Sequence, residues 1–96
     1  MAKIDKSAKW NEFTIKDGKH CIGGQEIFRV NKSISGWIWY QTQKPKVNPT
    51  PQDILYGYVE GMASEWGSWY ADDMESSDII EVPKESWNNI ESLALA

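Results

Sequence analysis

The stretch DILYGYVEGMASEWGSWY, residues 53–70, decides the fold. Ile54, Leu55, Tyr58, Val59, Met62, Trp66, Trp69, Tyr70 and Met74 recur at helical spacing, and Thr50-Pro51-Gln52-Asp53 resembles a helix start. Against a helix stand Gly57, Gly61 and Gly67, each costing about 1 kcal/mol relative to alanine in a helix interior. The supply of Tyr, Val and Trp also suits a pleated surface better than a helix. The stretch therefore predicts two strands, Ile54–Glu60 and Trp66–Tyr70, joined by a loop over 61–65.

Upstream, Gly36–Gln41 is the most strand-like segment, with Trp37 and Trp39 on one face and Ile38 and Tyr40 on the other. Pro45, Pro49 and Pro51 deny regular structure to 43–52 and mark it as an exposed connection. Nearer the N-terminus, Phe13 and Ile15 alternate with polar residues up to Asp17-Gly18, the dipeptide of a tight hairpin turn. That register sets Ile15 against His20 and Phe13 against Ile22. Gly23-Gly24 breaks the second strand, and a further strand is expected over Glu26–Asn31. Residues 1–9 are polar and read as a flexible tail.

Downstream, Asp72-Asp73-Met74-Glu75 reads as a short acidic helical turn in which Asp72 caps the amide near Glu75. Ile79–Val82 is a short strand ended by Pro83. Trp87, Ile90, Leu93 and Ala94 then form a stripe at three- and four-residue spacing, the pattern of an amphipathic C-terminal helix. The expected architecture is thus α+β: one domain over 10–96, with a twisted, mostly antiparallel sheet of about five or six strands, the acidic turn and the C-terminal helix.

Charge is divided between the halves. Residues 1–46 carry nine basic groups against four acids, and residues 47–96 carry ten acids against Lys84 alone. A polarised field of this kind selects partners by charge sign. The net charge of −4 and the single arginine oppose duplex nucleic-acid binding. No apolar run is long enough to cross a bilayer and the N-terminus lacks a signal-peptide core, so no membrane association and a cytoplasmic location are expected. Cys21 is the one cysteine, which fits a reducing compartment.

Chemistry finds little foothold. His20 is the single histidine, and its neighbour Cys21 points to the opposite strand face, so the pair cannot act together. Asp72, Asp73, Glu75 and Asp78 lack the spacing of a calcium loop, and acids in a first helical turn are favoured by its dipole without any ligand. No phosphate-cradling glycine loop is present. The chain is read as non-enzymatic, with no catalytic residue, cofactor or metal.

Six tryptophans in 96 residues supply both core and candidate anchors, each ring burying on the order of 150–250 Å² when fully packed. The first functional expectation is a protein-interaction module, a regulator or inhibitor whose acidic side meets a basic partner. Its candidate residues are Glu60, Glu65, Asp72, Asp73, Glu75 and Asp78, with Trp66 and Trp69 as anchors. The alternative is an aromatic platform of Trp37, Trp39, Trp66 and Trp69 that stacks on a glycan-like small ligand, or Trp37 and Trp39 stacking on single-stranded nucleic acid. Attraction between the halves also admits homo-oligomers.

Three segments carry a family resemblance: Gly36-Trp37-Ile38-Trp39-Tyr40, Leu55 to Gly61, and Glu65-Trp66-Gly67-Ser68-Trp69 followed by Asp73-Met74-Glu75-Ser76. Together they resemble a family of small uncharacterised proteins of plasmids and phages. That family shows a Trp-Tyr strand, an apolar-Gly-x-Val-x-Gly strand and a Glu-x-Gly-aromatic segment entering a short acidic helix. The resemblance spans 36–77; Trp66 replaces the usual aliphatic residue, and the N-terminal strands have no counterpart. It implies strands through 53–70 and a mobile-element origin, and brings no activity to carry over.

Overall fold

In the computed structural model, which describes residues 10–89, the chain forms eight strands in two antiparallel sheets. The smaller sheet holds β1 (Phe13–Lys16), β2 (Lys19–Ile22) and β3 (Gln25–Glu26). Its hairpin follows from the turn residues: Asp17 and Gly18 both take positive φ (53° and 77°), the left-handed pair that matches the strand twist. Phe13 pairs with Ile22 and Ile15 with His20, the register that the turn requires.

The larger sheet has β4 (Arg29–Ser33), β5 (Ile38–Gln41), β6 (Ile54–Glu60), β7 (Ser64–Tyr70) and β8 (Ile79–Glu81), in the order β7-β6-β5-β4-β8. Residues 53–70 are therefore two paired strands, with β7 beginning two residues earlier than expected. The strand expected over 26–31 is instead divided between sheets. Ile27 N donates to His20 O (2.8 Å) in the small sheet, and Phe28 N donates to Gln41 O (2.8 Å) in the large one. Periodicity cannot report this change of sheet, because both halves remain extended.

Cross-strand partners share a face. One face of the large sheet carries Val30, Ile38, Tyr40, Tyr58 and Trp66, and packs beneath the small sheet. This inner face, with Ile22, Ile27, Val82 and Trp87, is the core, and Phe13 and Trp66 pack against its rim. The Phe13 ring lies 5.0 Å from that of Tyr40, and Tyr58 lies 5.6 Å from Trp66. Gly57 is required here, because a Cβ at this position would run into the backbone carbonyl of Tyr40.

The α+β expectation is corrected: the described residues contain two sheets and no α-helix. The acidic turn is a 3-10 helix, Ala71–Glu75. Its cap sits two residues before Asp72: the Asp73 carboxylate accepts from Tyr70 N at 3.3 Å. In place of the C-terminal amphipathic helix, Lys84–Asn89 is a second 3-10 helix, and 90–96 lie outside the described residues. The cause is local anchoring. Val82 N is tied to Val30 O (2.8 Å), and the buried Trp87 reaches back so that Nε1 donates to Val82 O (3.1 Å). That tight return holds the segment in an i to i+3 turn, as in Ser86 N to Pro83 O (2.9 Å). The expected tail, 1–9, also lies outside the described residues.

Candidate protein-binding face

The opposite, outer face of the large sheet is built from residues of the other parity. One cross-strand row reads Glu65, Val59, Trp39, Asn31, Glu81, and another reads Trp69, Leu55. Among the described residues no second sheet covers it. Because β7 and β8 are opposite edges, the connection over 71–78 must traverse four strand spacings, about 19 Å. It does so as a strap. Ala71 N donates to Asp53 O and Asp72 N to Pro51 O at one end, and Ile34 N donates to Asp78 O at the other.

Asp72, Asp73, Glu75 and Asp78 all lie exposed on this strap, while Met74 between them turns toward the sheet. No lysine or arginine occurs between residues 47 and 83 to neutralise them from within the segment. The Asp78 carboxylate is paired with the Ser76 hydroxyl. Glu65 is exposed on the same face of β7.

The aromatic candidates divide. Trp37 and Trp39 stack on the outer face with ring centroids 6.1 Å apart and planes 25° from parallel. Trp37 is 39% exposed, and it lies over Gly61, where an added Cβ would sit 2.5 Å from the ring. Trp69 is on this face too but only 8% exposed, so it offers no surface to a partner. Trp66 is on the inner face, where Nε1 donates to Trp10 O (2.9 Å) and the ring stacks on Tyr56 at 6.0 Å. Glu60 is also on the inner face beside Ile38, and burial holds its carboxyl above the usual glutamate range. Trp37, Trp39, Trp66 and Trp69 therefore do not make one platform.

Strap, sheet and Pro-rich connection enclose a cleft of about 570 Å³. Its floor includes Arg29, Asn31, Gln41 and Leu55. Asp53 organises the wall. It accepts from Thr50 N (3.0 Å) and Thr50 Oγ1 (3.1 Å) and pairs with Lys46 Nζ (3.0 Å). The Thr50 amide, followed by Lys46, holds the Asp53 carboxyl below its ordinary value. Arg29 Nε stands 3.7 Å from Glu81. Gln41 is 3% exposed; Nε2 donates to Gln43 O (2.8 Å), and Oε1 has no partner among the described residues.

Arg29–Glu81 and Lys46–Asp53 each join the basic half of the sequence to the acidic half. The two poles are therefore stitched together where β4 meets β8 and where the Pro-rich connection meets β6, and negative charge concentrates on the strap. Among the described residues no three His, Cys, Asp or Glu side chains are grouped to hold a metal ion, and no helix is long and apolar enough to cross a membrane. Sequence reasoning missed the cleft residues, because Arg29, Asn31 and Gln41 meet only through strand register. Comparison with protein-family models, with curated proteins and with solved structures found no match.

Proposed function

We propose that this protein is a non-enzymatic interaction module whose outer face docks on a basic surface of a protein partner. The observation that carries the reading is the coincidence, on the outer side of the large sheet, of four exposed strap carboxylates with a partly exposed tryptophan stack. Aromatic rings supply contact area at low entropic cost, and carboxylates around them supply charge selectivity and a fast encounter. The anchors in this reading are Trp37 and Trp39, since Trp66 and Trp69 are engaged in packing. A role as regulator or inhibitor of a mobile-element or host enzyme belongs to this proposal.

The test is affinity capture at low and at high ionic strength with three baits: the natural chain, Trp37→Ala, and a variant with Asp72→Asn, Asp73→Asn and Glu75→Gln. A basic protein retained by the first bait at low salt, and lost from both variants, supports the reading. Capture that the charge variant leaves unchanged overturns it.

A second reading is favoured by the cleft, where the buried Gln41 Oε1 has no partner among the described residues and Arg29 and Lys46 are paired with Glu81 and Asp53. Such a lining suits a small neutral polyhydroxyl compound. Ligand-detected NMR with simple sugars tests it, with Gln41→Leu as the control that abolishes the signal.

A further inference from the structure

The two edges of the large sheet are built differently. β8 is three residues long, carries Glu81 and runs into Pro83. These are devices that discourage strand addition. β7 is seven residues long, contains no proline and no lysine, and has Glu65 as its one charge.

Hydrogen-bond parity shows which groups of β7 are open. Ala71 N donates to Asp53 O, and at the far end of the hairpin Gly61 N donates to Ala63 O. The odd-numbered residues of β7 therefore bond to β6, and Ser64, Trp66 and Ser68 turn their N–H and C=O groups to the edge that no strand pairs with among the described residues. The Tyr70 N–H also points outward and is capped by Asp73. Behind this edge, on the inner face beyond the cover of the small sheet, Ile54, Tyr56 and Tyr70 are 57%, 43% and 55% exposed. Tyr56 stacks on Trp66, so the patch is continuous with the core.

We propose that this edge receives a second copy of the chain, β7 against β7, about a two-fold axis at Gly67. The side chains are self-complementary in that register. Trp66 falls opposite Ser68 and Tyr70 opposite Ser64, so each large ring meets a small hydroxyl. Glu65 falls opposite Trp69, so the two Glu65 carboxylates do not oppose each other. Gly67 meets Gly67 in the close, non-hydrogen-bonded type of pair.

Gly67 has nothing within 4 Å of an added Cβ and no positive φ, so neither intramolecular packing nor backbone conformation calls for glycine there. A strand-interior glycine occurs at bulges, at bends and where a ligand or another backbone approaches closely, and the Gly67–Gly67 pair of this register is a case of the last. On the inner face the row continues from Tyr56 through Ser68 to Trp66 of the second copy, which covers the exposed aromatic patch. An isologous interface of this kind closes on itself and leaves the outer face free.

The experiment is sedimentation equilibrium of the natural chain, Ser68→Pro and Ser68→Ala over a wide concentration range, with near-UV circular dichroism as the measure of fold. The Ser68 N–H faces away from β6, so proline removes an edge donor and leaves the β6 ladder intact. Twice the monomer mass for the natural chain and for Ser68→Ala, with a single mass for a folded Ser68→Pro, is the expected result. A natural chain that stays monomeric, or a folded Ser68→Pro that still dimerises, overturns the proposal.

Oxidative crosslinking reads the register independently of proline. Gly67→Cys is expected to form a disulfide dimer, and Glu65→Cys, facing Trp69, is not. A dimer linked through Glu65→Cys and not through Gly67→Cys also overturns the proposal.

Discussion

The inner and outer faces of the large sheet are made by the same strands and alternate along the same residues, yet they do opposite work. Ile38 and Tyr40 point inward and are buried; Trp37 and Trp39 point outward and remain partly in water. The difference lies in the cover. The small sheet lays Phe13 and Ile22 on the inner face, while among the described residues the outer face has only an acidic strap and a proline-rich connection. Aromatic content alone is therefore a poor guide to the core, because equally large rings serve packing on one side and display on the other.

The largest expected effect tests that asymmetry directly. Ile38→Ala should lower unfolding free energy by about 2–5 kcal/mol, since it deletes fully buried volume. Trp37→Ala, across the sheet, should fall near the roughly 1 kcal/mol centre of point mutants. Urea denaturation of both variants measures this, and equal losses would break the comparison.

The paired glycines come next, because Gly57 and Gly67 face each other across β6 and β7 yet answer different needs. Gly57→Ala should destabilise by about 1–3 kcal/mol as the new methyl meets the Tyr40 carbonyl. Gly67→Ala should stabilise the folded monomer by roughly 0.5–1 kcal/mol through reduced backbone freedom. Opposite shifts in thermal midpoint, read at a dilution that keeps the chain monomeric, are the result to look for.

A smaller effect concerns the Tyr40 hydroxyl, which is buried among the inner-face rings and has no hydrogen-bond partner among the described residues. Burial, followed by the charge of Glu60, pushes its ionisation far above the ordinary tyrosine range, so it is neutral throughout the working pH. Tyr40→Phe should leave stability unchanged or raise it, since an unsatisfied buried hydroxyl contributes a penalty and no bond. A clear loss in the same urea titration would show that the hydroxyl has a role its surroundings do not reveal.

The smallest effects are in pH dependence, and the two faces should differ in sign. Burial raises the Glu60 pKa, so the folded chain holds that proton more firmly than the unfolded one. Stability from this group falls as pH rises from the ordinary glutamate value through the raised one. Glu60→Gln should accordingly be the more stable protein at neutral pH, with the gap closing in acid. The Asp53 pKa is lowered, so its contribution is present above the ordinary aspartate value and is lost as pH falls through the depressed one. Asp53→Asn should be the less stable protein at neutral pH, again converging with the natural chain in acid. Melting curves from neutral to acid pH separate the two slopes.

Much of the architecture could be read from local signals. Asp17-Gly18 specified its hairpin and register because a two-residue left-handed turn admits one strand pairing. The three glycines of 53–70 tipped that stretch from helix to strand, and Ile54–Glu60 is the strand expected. The C-terminal reading failed at Trp87 for a physical reason: three- and four-residue spacing describes a face, and a 3-10 turn anchored on Val82 buries the same tryptophan. Of the candidate site, the sequence pointed to the acids of 72–78 and to the Trp37–Trp39 pair, the latter as a ligand platform, while Glu60 lies on the inner face. It was not legible in Trp66 and Trp69, because strand parity places each on a face without saying which face is covered.

Sequence by itself thus determined most of the strands, the Asp17-Gly18 turn, and that its negative charge gathers after residue 47, since each depends on neighbours within a few residues. Only tertiary structure decided that β3 and β4 part into different sheets, that β7 becomes a long edge strand of the described sheet, and that 71–78 is a strap across a face. Those outcomes depend on which distant strands pair and what remains to cover them. Such pairings are settled by burying Tyr40, Tyr58 and Ile22 together, a competition among contacts far apart in the chain.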